Sequence, residues 1–189
     1  MSVRTMTLAA IMTALVIVLQ LLGSFIRFGP FAISLVLIPI VIGAATCGIA
    51  VGGWLGFMFG FVVLISGDAT PFLAIHSVGT IITVLLKGVL CGLAAGAVYK
   101  LFSKINVYIA VVAAAIVCPI VNTGIFLLGC VVFFLDTVAA WGYGAGFGGT
   151  AEYIFLGLVG GNFLFELGSN ILLSPIIVRL LNIRKKMFS

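Results

Sequence analysis

The chain has 189 residues, 64% of them hydrophobic and 7% charged, with a formal net charge of +5 and a mean hydropathy of +1.46. A soluble domain carries about 25% charged residues, and no water-soluble fold could cover this much apolar surface. One helical crossing takes about 20 apolar residues, so about six spans use up the length and leave no loop large enough for a soluble catalytic domain.

Apolar runs between charges, Gly/Pro clusters and polar turns predict helices at about 5–23, 31–48, 50–66, 77–99, 107–135 and 152–181. The expectation is an all-α integral membrane protein, a compact bundle of six transmembrane helices forming a single domain over residues 1–189. Only Arg4 precedes the first run, and no small-residue cleavage site with a polar mature region follows it, so it reads as a retained span. Gly48, Gly52 and Gly53 alone separate the second run from the third, which leaves one broken helix as the alternative. The fifth and sixth runs exceed a perpendicular crossing and are expected to tilt or protrude.

With the N-terminus inside, Arg4, Lys100, Lys104, Arg179, Arg184, Lys185 and Lys186 all face the cytoplasm, whereas Arg27 faces out. The positive-inside rule therefore places both termini in the cytoplasm. Asp68, Asp136 and Glu152 fall on the outer side. The basic residues lie at segment ends rather than along one face, which argues against nucleic acid. Cys47, Cys91, Cys118 and Cys130 sit within apolar stretches without C-x-x-C spacing and read as packing residues. Small residues four apart recur at Ala10/Ala14, Gly48/Gly52, Gly56/Gly60, Gly88/Gly92/Gly96 and Gly157/Gly161, a pattern that lets helices approach closely in lipid.

Two fully ionisable residues lie deep in predicted spans: Lys87 in the fourth and Glu166 in the sixth. A charge at the bilayer centre costs about 2.5–3.5 kcal/mol on the mildest scale, so each requires a cavity or a partner. Asn122 lies at the same level, and Asn162, Glu166 and Asn170 share one face of the sixth helix at a spacing of four. One reading is a ligand site, with Lys87 on an anionic or carbonyl group, Asn122 and Asn162 orienting the ligand, and Glu166 holding the lysine or a ligand donor. Thr83 is counted with them as a substrate contact. The other reading is a Lys87–Glu166 ion pair that ties the helices together.

Outer segments form a second cluster at Arg27–Pro30, Ser66–His76 and Asp136–Glu152, the last a glycine-rich loop with Trp141, Tyr143 and Phe147. Its aromatics suit either a lid over a flat ligand, with Trp141 and Tyr143 as contacts, or an anchor at the membrane interface. His76 has no second histidine or carboxylate at metal-ligand spacing, so a capping or loop hydrogen bond is expected and no metal site. No G-x-x-x-x-G-K-[ST], G-x-S-x-G or H-E-x-x-H occurs, so no enzyme is expected, and uphill transport would draw on an ion gradient or another subunit.

The Ala10-x-x-x-Ala14 pair, the run IPIVIGAATCGIAVGGWLGFMFGF at 38–61 and the six-helix plan resemble the substrate-binding S component of energy-coupling factor (ECF) vitamin transporters. The resemblance implies a multi-pass subunit of a prokaryotic cell membrane that captures a vitamin or vitamin precursor from outside; the deep cation Lys87 makes a carboxylate-bearing ligand, pantothenate, the lead, with riboflavin, folate, thiamine, a pyrimidine or pyridoxine-like precursor and a queuosine precursor open. It further implies a transmembrane coupling subunit and two cytoplasmic ATPases as partners. The ATP is used by those partners, no cofactor is bound by this chain, and Ala10 and Ala14 form the coupling contact. A self-sufficient proton-coupled transporter using Lys87 and Glu166, and a non-transporting membrane scaffold, are the alternatives.

Overall fold

In hydrocarbon every backbone N–H and C=O must be satisfied within the protein, which drives long apolar runs into helix. The computed structural model describes residues 3–25, 27–28, 31–32 and 35–187. Helix α1 (Val3–Phe25) leads into paired strands β1 (Arg27–Phe28) and β2 (Phe31–Ala32), then α2 (Leu37–Cys47) and α3 (Ile49–Ile65). The short α4 (Thr70–Leu73) precedes two long helices, α5 (Ser77–Phe102) and α6 (Val107–Phe133). After α7 (Leu135–Gly144) and α8 (Thr150–Glu152), a π-helical stretch Tyr153–Gly160 runs on into α9 (Gly161–Met187). Among the described residues four helical runs are long and apolar enough to cross a membrane, starting at Val3, Ser77, Val107 and Thr150, while α2 and α3 are shorter apolar helices.

Two predicted elements are corrected. The run at 31–48 is helical only from Leu37, because Phe31 and Ala32 pair antiparallel with Phe28 and Arg27. Hydropathy alone does not separate a short apolar strand from a helix end. Pro39 then falls in the first turn of α2, where its missing N–H costs no intrahelical bond. The first part of the outer loop expected at Asp136–Glu152 is also helix, within Leu135–Gly144.

Helices α2 and α3 fold back on each other across Gly48, whose φ of +101° suits glycine and strains any other residue. A Cβ on Gly52 would lie 2.8 Å from that of Ala44, and one on Gly43 would strike Leu55, so this segment is a hairpin and not one broken helix. The short α2 packs against α1, α3, α5, α6 and α9. Its Leu37, Ile40 and Val41 are fully buried with Val16, Leu55, Cys91, Val111, Cys118 and Ile177. A second cluster, Cys130, Phe134, Val138, Tyr153, Ile154 and Leu158, ties the end of α6 to α7 and the π-helical stretch.

The glycine spacings turn out to face each other. Gly52, Gly56 and Gly60 of α3 lie antiparallel against Gly92, Gly88 and the Val84 carbonyl of α5, so close that a methyl at any of the five glycines would collide with the opposing backbone. Glycine here trades helix propensity for backbone contact in an environment that supplies no hydrophobic drive between helices. At the helix starts, the Asn106 side chain accepts from Tyr108 and Ile109 N–H at the head of α6. His76 Nδ1 accepts from Gly79 N–H at 2.9 Å at the head of α5, the capping role expected of it. All four cysteines are free, three of them buried.

Candidate functional site

The half of the bundle that carries the α3–α5 connection and α7 encloses a cavity of about 130 Å³, many times the roughly 10–15 Å³ that one water needs. The long α5 brings Thr83 and Lys87 to its wall, one turn apart on one face. Helix α6 contributes Asn122, and α9 contributes Asn162 and Glu166. Five of the seven residues expected to bind substrate therefore share one space. Trp141 does not line it: its ring packs edge-on against Phe72, 5.4 Å between centroids, and Phe72 forms the wall. Tyr143 is 63% exposed and also lies outside the lining. Coiling of Leu135–Gly144 into helix accompanies this: it carries Trp141 onto Phe72 of α4 and leaves Tyr143 exposed.

Glu166 is 2% exposed. Asn162 Nδ2 donates to one carboxylate oxygen at 3.2 Å, and Asn122 Nδ2 reaches the other at 3.5 Å. The Glu166 backbone carbonyl accepts from Asn170 Nδ2 at 2.8 Å and Ser169 Oγ at 3.0 Å, and Ser174 Oγ bonds the Asn170 carbonyl at 2.8 Å. The i, i+4 spacing of α9 thus becomes a polar ladder running inward from the cavity.

Among the described residues no Lys87–Glu166 ion pair, the second of the two readings, is formed, although both line the cavity. Helix α6 packs against both α5 and α9, which sets the two charges on different walls. Lys87 Nζ lies over the Phe59 ring at 5.3 Å and the Phe126 ring at 5.4 Å. A desolvated cation–π contact is worth about 2 kcal/mol and offsets part of the cost of placing an ammonium there.

Other lining residues have weak sequence signals. Gln20 of α1 is 3% exposed and donates through Nε2 to Asp68 Oδ2 at 2.9 Å. Ser24 Oγ and Ser66 Oγ donate to the same oxygen at 2.5 and 3.0 Å. Asp68 and Gln20 thus close one side of the cavity by joining α1 to the α3–α4 connection. A lone glutamine in an otherwise apolar stretch, followed four residues later by a serine, was the available sign for α1. Thr80, Thr123 and the rings of Phe72, Phe134 and Phe163 complete the wall. Buried Oδ1 atoms of Asn122, Asn162 and Asn170 have no hydrogen-bond partner, each an unmet demand of about 1–3 kcal/mol.

The long apolar helices put the chain in the class of integral membrane proteins, and its deep polar side chains converge on one cavity. Comparison with protein families is more specific: residues 4–180 match the ECF transporter, substrate-specific component family, and the chain belongs to that family. No curated protein and no solved structure matches it. Family membership makes it a multi-pass membrane subunit that binds substrate for an ECF transporter.

Proposed function

We propose that the chain captures a vitamin or vitamin precursor from outside a prokaryotic cell, with pantothenate as the leading ligand, and delivers it through partner subunits. In this reading α1, α2, α3, α5, α6 and the run from Thr150 through α9 make six crossings of a single domain, with both termini in the cytoplasm. The carrying observation is the convergence of Lys87, Thr83, Asn122, Asn162 and Glu166 on one cavity. It lies toward the end that the charge distribution assigns to the exterior. A pantothenate carboxylate would meet Lys87, and its hydroxyl and amide donors would meet the asparagine carbonyls.

A transmembrane coupling subunit and two cytoplasmic ATPases complete the importer; ATP is used by them, and this chain catalyses no reaction and needs no cofactor. The exposed face of α1 supports this, since Ala10 and Ala14 are both open there and methyl-sized side chains permit a flat, sliding contact. A proton relay between Lys87 and Glu166 has less support, because the two do not touch.

Titration calorimetry of the purified chain with pantothenate tests the reading directly. Binding by the unaltered chain and its abolition in a folded Lys87→Met variant are expected; unchanged affinity in that variant would refute a direct role for Lys87. Uptake by vesicles holding this chain alone would favour a self-sufficient transporter, and purification with no small molecule under any condition would favour a scaffold.

A further inference from the structure

The unmet polar groups of the cavity are of two opposite kinds, and they stand on different walls. Lys87 brings three N–H donors whose contacts are two ring faces, with no ion pair or hydrogen bond to any described residue. On the α6 and α9 walls stand acceptors: the Glu166 carboxylate and the Oδ1 atoms of Asn122 and Asn162, the last two without a donor. Asn122 is 5% exposed.

Both amides turn their NH2 groups to the Glu166 carboxylate, which leaves both oxygens directed away from it. The site therefore asks for hydrogen-bond donors on the α6/α9 wall and for negative charge on the α5 wall. Phenylalanines of the lining, Phe59, Phe126 and Phe163 among them, ask for an apolar or flat body.

Resting on the capture reading, but not on the choice of pantothenate, we infer that the ligand is a two-pole molecule. It carries a carboxylate or another anionic acceptor for Lys87 and at least two hydroxyl, amide or amine donors for Asn122 and Asn162. A ligand that is only a cation would meet the lysine unfavourably. An apolar ligand would leave the acceptors and the ammonium unsatisfied, and sites built to hydrogen-bond a group reject analogues that lack it.

The test uses the full-length chain, stripped of small molecules by detergent exchange and incubated with an equimolar mixture of water-soluble vitamins and their precursors. Mass spectrometry identifies the retained compound. Calorimetry then compares it with two analogues, one with the acid as methyl ester and one with its donors methylated. The retained compound is expected to carry both poles, and each analogue to bind between about 10- and 100-fold more weakly. In Asn122→Ala the methylated and parent forms should differ less than in the unaltered chain. A retained compound lacking either pole, or analogues binding within about twofold of their parent on the unaltered chain, would overturn the two-pole inference while leaving capture intact. Retention of nothing from the mixture would remove the capture reading and this inference with it.

Discussion

Asn162 and Glu166 show how one helical turn can make a buried charge tolerable. Spaced by four on α9, they place an amide donor 3.2 Å from a carboxylate that is 2% exposed, while the second amide, from α6, is at 3.5 Å. Asn162→Leu keeps the branched outline but leaves Glu166 with only the longer donor; a loss of about 1–3 kcal/mol is expected, read as a lower thermal midpoint in detergent. At the head of α5, His76→Ala removes the acceptor of Gly79 N–H and should cost about 0.5–2 kcal/mol, with His76→Asn restoring most of it. Lys87, Asn122, Asn162 and Glu166 were legible because a polar side chain inside an apolar run has few explanations. Trp141 and Tyr143 carried no such sign, since an aromatic suits lipid, interface and cavity alike. Gln20 was passed over because it lies near a helix end, where an amide is unremarkable until Asp68 is found beside it.

At the scale of elements the seam between α3 and α5 decides the packing. Glycine periodicity announced small contact surfaces but not which helix meets which; their antiparallel match is a property of the folded pair. Gly88→Ala should lower stability by about 1–3 kcal/mol through overpacking against Gly56. Gly168→Ala has nothing within 4 Å of the new methyl, so it should raise stability by up to about 1 kcal/mol from helix propensity alone. Equal shifts for the two variants, measured by the same unfolding assay, would show that the seam is not where the stability resides. The π-helical stretch Tyr153–Gly160 had no signature in the residues; one extra residue per turn is a backbone choice made by packing. The start of α2 was misplaced for a related reason, because hydrophobicity is shared by the strand at Phe31 and the helix that follows.

For the whole molecule, orientation in the bilayer follows from where the basic residues stand. Under the six-span topology a cysteine at Asp136 should react with a membrane-impermeant maleimide added to intact cells, and one at Lys104 should react only after permeabilisation. The reverse pattern would invert the bundle. Ala10→Trp, on the exposed face of α1, should impair uptake in the assembled transporter and leave ligand affinity unchanged; loss of binding as well would point to misfolding. Composition and charge order were enough to settle the solvent this chain folds in, the helical answer to it and the positions of most spans, because in lipid the backbone has almost no alternative and hydropathy measures the cost directly. Which side chains share a cavity, that Lys87 rests on phenylalanines instead of on Glu166, and that α2 lies at the centre of the bundle were decided only by tertiary packing. Those contacts depend on the relative rotation and crossing of helices, and no local property of a sequence encodes them.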